Sequence, residues 1–205
     1  MLDRLVYFCQ TLLIRCRKVC IMSKKRQLLI DTALDLFYQH GINVIGINEV
    51  LKVSGVAKRT LYNHFDSKEA LVLAALEQRH HQFMSWLESV LHKSQSDLDV
   101  IENLFDGLDS WFQGKSEILG SFRGCFFINT AAEYSHPDSS IVNFCAFHKQ
   151  EVARIIAAKL SGHSPHLLDA ICIMKEGVIT TAYMTHKGEQ ACHKCKVVLN
   201  ALATR

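Results

Sequence analysis

Asn48–Lys68 reads NEVLKVSGVAKRTLYNHFDSK, and the fold of the chain follows from it. Glu49 to Val53 carries apolar residues at Val50, Leu51 and Val53, the one-sided pattern of a short buried helix. Ser54-Gly55 breaks that helix, and a glycine takes the left-handed conformation at little cost. Val56 re-enters the core, and the spacing predicts a second short helix over Ala57 to His64 with Leu61 and Phe65 as inward anchors. Lys58, Arg59, Thr60, Asn63 and His64 are left on the other side, with no acid between Glu49 and Asp66. Two short helices joined across a glycine turn form a helix-turn-helix, which sets its second helix into the DNA major groove. There Lys58, Arg59 and Asn63 reach base edges, while Thr60, Tyr62 and His64 hold phosphates.

A third element begins at Asp66-Ser67-Lys68-Glu69, where Asp66 or Ser67 caps the helix and Glu69 suits its first turn. The free amides there, together with Lys68, make a phosphate clamp. Upstream, Ser23 to His40 reads as the first helix, with Leu29, Ala33, Leu36 and Phe37 at core spacing and Gly41 as its stop. Lys24, Lys25 and Arg26 lie at its start, a poor place for cations in the helix dipole and a good one for phosphate contacts.

Gly55 to Phe65 (GVAKRTLYNHF), followed by Ser67-Lys68-Glu69-Ala70-Leu71, closely resembles the signature of TetR-family transcriptional regulators. The likeness is specific over about Gln27 to Leu76 and reduces to general layout beyond. Three positions depart from the common pattern. Ala57 stands where a capping serine is usual, Arg59 where glycine is common, and Gly46 where a threonine often caps the next helix. Losing one such cap costs about 1 kcal/mol, and Arg59 adds a group that alters the DNA sequence read.

The 205 residues suit an all-α chain: only 2 prolines, 49% hydrophobic, rich in Leu, Ala and Ile. The net charge of +3 is accounted for by residues 1–21, where Arg4, Arg15, Arg17 and Lys18 face Asp3 alone. The remainder is neutral overall, so contact with DNA must come from a local patch. The 8 cysteines are scattered without a secretory pattern, and the expected location is the cytoplasm. Leu5 to Ile14 is too short to span a bilayer. Residues 1–21 read as an extension upstream of a natural start at Met22, with a membrane-surface or partner-binding helix as the alternative. The domains expected are a helix-turn-helix head over 22–70 and a ligand-binding and dimerisation body over 71–205. About nine helices are expected, three in the head and six in the body.

The third element should run to about His92, keeping Leu76, His80, Phe83, Met84, Leu87 and Leu91 on one face. Further helices are expected over Leu98 to Gln113, Ile141 to Leu160, His166 to Thr185 and Glu189 to Ala203. Gly124 to Glu133 resembles a segment that lines the pocket in many TetR-family effector domains. Leu168, Ile171 and Ile179 mark one face of the penultimate helix, and Ala191, Cys195, Val198, Leu199 and Leu202 one face of the last. No chain is left to cover these stripes, which favours a twofold homodimer. The resemblance implies the same, through a four-helix bundle, and two heads then read a palindromic operator.

Phe83, Trp86, Phe105, Phe126, Phe127, Phe144 and His148 are the candidate lining for a small-molecule effector, and their chemistry suggests an apolar or aromatic ligand. The function expected is a repressor released from its operator by that effector. A second reading makes Cys125 or Cys145 a thiol sensor for oxidants or electrophiles, with Arg123 activating Cys125. A third is a helical partner-binding protein without DNA activity. No glycine-rich phosphate loop, nucleophile elbow or paired Cys-His context is present, so the chain is not expected to be an enzyme. Cys192-His193-Lys194-Cys195 lacks a second ligand pair, so neither metal nor cofactor is expected.

Overall fold

The computed structural model describes residues 24–134, 136, 138–162 and 166–204. The reading of residues 1–21 lies outside these. Nine α-helices occur among the described residues: α1 (24–40), α2 (Ile47–Ser54), α3 (Lys58–Tyr62), α4 (Lys68–Leu91), α5 (Asp97–Phe112), α6 (Phe126–Glu133), α7 (Ser140–Ala157), α8 (Leu167–Thr185) and α9 (Gly188–Ala203). The chain divides after Ala75 into two compact units. No described helix is long and apolar enough to cross a membrane.

In the head, Leu29, Ala33 and Phe37 of α1 are buried with Ile42, Ile45, Val50, Val56, Leu61 and Phe65. Gly55, at φ 65°, donates its N–H to the Leu51 carbonyl at 3.0 Å, and the Ser54 hydroxyl accepts from the Val56 N–H at 3.3 Å. This Ser-Gly pair turns the chain between α2 and α3. Neither Gly46 before α2 nor Ala57 before α3 supplies a side-chain cap. Ser67 does cap α4, accepting from the Ala70 N–H at 3.2 Å. Two expectations need correction. α3 has five residues rather than eight, because no side chain caps its start and the chain loosens after Tyr62. Val53 is 56% exposed, since α2 turns only Val50 fully inward.

The body is built on one apolar cluster drawn from α4, α5, α7, α8 and α9, including Leu87, Leu91, Ile101, Leu104, Phe105, Ile156, Ile171 and Leu199. A capping box starts α5: Ser96 accepts from the Asp99 N–H, and the Asp99 carboxylate accepts from the Ser96 N–H. Its backbone and hydroxyl partners hold the Asp99 carboxyl below its ordinary value. α9 packs along both α8 and α5. Lys196 of α9 bridges Glu102 and Asp106 of α5 at 2.9 and 2.6 Å, and Asn200 donates to Glu102 at 2.8 Å. Gly188 opens α9 where a Cβ would lie 2.6 Å from the Phe112 ring. Removing the α5 cap with Ser96→Ala should cost about 1 kcal/mol. A thermal melt should then shift down by roughly 2–4 °C; an unchanged melt would show that the box contributes nothing.

Candidate functional site

The head exposes cations on α1, α2 and α3. Leu61 is fully buried, and it orients α3 so that Lys58, Arg59, Tyr62 and Asn63 are exposed while Thr60 is half-buried. Lys25 is exposed on α1, and Arg26 lies over the Phe65 ring at 5.2 Å. Lys52 is paired with Glu49 at 3.6 Å on the surface of α2. Two of the sequence-predicted residues sit differently from expectation. His64 is half-buried, and its Nε2 is buried without a hydrogen-bond partner, because Phe65 beside it is drawn into the core. That nitrogen does not reach an external phosphate. Lys68 is also half-buried: its Nζ donates to the Ile42 carbonyl at 2.6 Å and lies 6.0 Å from the Phe37 ring. Its first role is to tie the start of α4 to the α1–α2 connection.

In the body a small cavity gathers four of the seven predicted lining residues, Phe83, Phe126, Phe127 and His148. Trp86 and Phe105 are buried in the apolar cluster instead, and Phe144 packs at an edge on His80. Trp111, Arg79, Lys149 and Lys175 complete the polar part of the wall. The cavity's volume is only about 10 Å³, room for about one water and far below the ~300–1,000 Å³ of a site shaped for a drug-sized ligand. Sequence reasoning missed the three cations. Arg79 and Lys175 carry a legible signal, since Arg79 lies four residues before Phe83, and Lys175 lies between Ile171 and Ile179. A cation at core spacing marks a buried charge.

The charges are tightly organised. Glu176 accepts from Lys149 at 2.8 Å and from Lys175, which is 2% exposed. Burial pushes the Glu176 carboxyl up, but the two lysines outweigh it and hold it below the usual range. Burial likewise pulls Lys149 down, and Cys125 with Glu176 more than restores it, leaving its value raised. Arg79 donates to the Leu119 carbonyl at 2.8 Å and lies over the Trp111 ring at 5.5 Å. His148 stacks flat on Phe127 at 3.5 Å between centroids, with its Nδ1 3.0 Å from that of His80. Burial, then Lys149, His80, Lys175 and Arg79, depress His148 to about 2, so the ring is neutral.

The thiols separate. Burial first, then Cys125, pushes Cys145 up to about 11, and burial takes Cys192 to about 12. Both are thereby held protonated near neutral pH. Cys125 is half-buried, and its neighbouring cation is Lys149, with Nζ 3.2 Å from Sγ. No group of three or more metal-ligating side chains occurs among the described residues.

On α8 and α9, Ile171, Ile179 and Leu199 point into the protomer's own core, because each helix must cover α5 as well as present an outer face. These three cannot face a partner. Val198 is exposed, and Leu168, Ala191, Cys195 and Leu202 are half-buried. The outer apolar side includes residues the sequence stripe omitted: Ile173 (72% exposed), Tyr183, Met184 and Val197. Ile173, Gly177, Thr181, Ala191 and Cys195 line an open groove between the two helices, and nothing lies within 4 Å of a Cβ built on Gly177.

Residues 29–75 match the family described as bacterial regulatory proteins, tetR family. The chain is 27% identical over 119 residues to the HTH-type transcriptional repressor ComR of Escherichia coli K12, a match covering 58% of this chain and 55% of that protein. It is 28% identical over 111 residues to the repressor NemR of the same organism, covering 53% of each. The matches thus span about half the length of these curated relatives. A TetR-family regulator from Streptomyces coelicolor has the same fold, with TM-score 0.73 at 24% identity over 88% of this chain and 97% of that one. Reduced NemR superimposes with TM-score 0.69 at 18% identity, covering 87% of this chain and 96% of that one.

The His148 environment sets a pH dependence. An unfolded His148 titrates near 6.5 and the folded one near 2, so unfolding takes up a proton between those values. This stability is full above about pH 6.5 and is lost as the pH falls, by up to about 1.4 kcal/mol per unit. His80, depressed chiefly by burial, adds in the same sense. Glu176 contributes only below its ordinary 4.5. Denaturation followed from pH 7 to pH 5 should show this slope, and His148→Leu should flatten it; equal slopes would place the acid sensitivity elsewhere.

Proposed function

Since the chain belongs to the TetR family of bacterial regulatory proteins, we propose that it is a dimeric DNA-binding repressor released from a palindromic operator by a small molecule in the body cavity. The observation that carries the DNA reading is the fixed outward face of α3, with Lys58, Arg59, Tyr62 and Asn63 exposed above a fully buried Leu61. Lys58, Arg59 and Asn63 read base edges. Lys25, Thr60 and Tyr62 hold phosphate, joined by the donors of Lys68 not engaged by Ile42. The family is non-catalytic, and no step of chemistry is assigned to the chain.

The dimer forms through the outer faces of α8 and α9. The support is the open apolar groove and the exposed Ile173, Met184 and Val198, a pattern that favours a self-complementary seam. Two heads then engage successive major grooves. The effector shifts the population toward the conformation that does not bind DNA, and each tenfold preference for that conformation is worth about 1.4 kcal/mol. α4 is the coupling element, because its first turns belong to the head while Arg79 and Phe83 line the cavity. A partner-binding protein with a silent head has no such use for the exposed cations of α3.

A second reading keeps the same DNA role and makes Cys125 the trigger, supported by the ammonium of Lys149 beside its sulfur. Under that reading N-ethylmaleimide labels Cys125 ahead of Cys145 and Cys192 by mass spectrometry, and Cys125→Ser alone abolishes release from DNA. Release that survives Cys125→Ser removes it.

Gel shifts against DNA upstream of the chain's own gene test the leading reading. Tyr62→Ala should weaken binding to every sequence, whereas Arg59→Ala and Asn63→Ala should also change sequence preference, by about 1–3 kcal/mol per lost base contact. Uniform loss in all three would remove the base-reading assignments. Ile173→Asp should convert a dimer to a monomer in analytical ultracentrifugation; a persistent dimer would move the seam away from α8.

A further inference from the structure

We propose that a second cavity of the body, where the ends of α5 and α8 meet the start of α9, binds a small organic ammonium ion. Its charge lies between Asp109 and Glu189, and its apolar part lies against Phe112 and Phe122. The cavity measures about 380 Å³, within the ~300–1,000 Å³ of ligand sites. It shares no lining residue with the space around His148 or with the groove between α8 and α9. The proposal is therefore independent of the effector and dimer readings above. α8 ends where His186 takes the left-handed conformation at φ 57° and donates its N–H to the Ala182 carbonyl at 3.0 Å. α9 begins two residues later at Gly188, which leaves the Phe112 ring uncovered by any side chain of its own. Phe122 lies beside that ring at 4.5 Å between centroids.

The charge of the wall selects the guest. Its described lining holds two carboxylates and no Lys or Arg. None of the described ion pairs includes Asp109 or Glu189. Asp109 is half-buried, and its Oδ2 accepts from the neutral Gln113 amide at 2.6 Å. Its Oδ1 is buried without a hydrogen-bond partner, a costly state for a carboxylate oxygen. Burial first and then Glu189 push the Asp109 carboxyl up, and Gln113 and Lys115 offset this only in part. Two helix C-termini, those of α5 and α8, also face one N-terminus here, so the backbone adds partial negative charge. An ammonium ion supplies N–H donors and the missing countercharge together, and the two rings favour a cation or its apolar body. An anion is repelled, and an alcohol brings no charge. A bare metal ion is a poor fit, since no group of three or more metal-ligating side chains occurs among the described residues.

The test uses the 205-residue chain and ligands matched in shape but not in charge: phenethylammonium, phenethyl alcohol and phenylpropionate, then hexylammonium, hexanol and hexanoate. Sodium chloride at equal ionic strength is the control. Binding is followed by titration calorimetry and by melting temperature. At millimolar concentration at least one ammonium ion should raise the melt and bind at least about fivefold tighter than its alcohol, with no binding by the carboxylates. Asp109→Asn and Glu189→Gln each remove one charge at nearly unchanged shape. Each should weaken ammonium binding about fivefold, the effect of one unit charge at contact distance in water. Glu77→Gln, at an exposed site on α4, should leave it unchanged. Glu189 is exposed, so its variant decides the matter even where Asp109→Asn fails to fold. The proposal is overturned if the alcohols or carboxylates bind as tightly as the ammonium ions. It is equally overturned if no ammonium ion binds above the chloride control, or if both site variants bind undiminished.

Discussion

Burial of Leu61 is the interaction on which the exposed face of α3 depends. A five-residue helix cannot persist in water, where even good formers need about 12–15 residues, and α3 starts at an uncapped Ala57. Full burial of one leucine contributes about 1.5–3 kcal/mol, and Val56 and Phe65 enter the same core on either side. The anchoring fixes rotation as well as stability. With Leu61 inward, Lys58, Arg59, Tyr62 and Asn63 have only the outer side left. Lys68 reinforces the arrangement from below by donating to Ile42 across 26 residues of chain.

The body solves a different problem. Its helices bury Arg79, Lys175 and His148 where an apolar side chain of similar volume would pack at lower cost. Charged groups in that position are weak evidence for stability and better evidence for a task. The neutral, stacked His148 and the shared Glu176 are how the fold tolerates them.

The elements were legible in the sequence wherever one face is apolar over several turns. α4, α5, α7 and the turn at Gly55 follow from periodicity and glycine chemistry, and Leu61 and Phe65 are the anchors their spacing predicts. Legibility ended where a helix serves two neighbours. The apolar residues of α8 and α9 are divided between an inner and an outer face, so one stripe mixed Ile171 and Leu199 of the core with Val198 of the surface. It ended again where a long side chain chooses its partner in space. Nothing local announces that Lys68 meets Ile42, or that Lys149 meets Cys125 and Glu176. Arg79 and Lys175 were readable as misfits at core spacing, a signal that composition and motif both pass over.

The fastening of α9 to α5 has a mechanical consequence. Gly188 lets the first turn of α9 sit against Phe112, and Lys196 and Asn200 hold the next turns to Glu102 and Asp106. α5 and α9 are thereby clamped at both ends of their contact, as a slab. The cavity wall supplied by α4, α6 and α7 has no comparable row of bolts to that slab among the described ion pairs. On the other side of the body the fastening runs instead through Lys149 of α7 and Glu176 of α8.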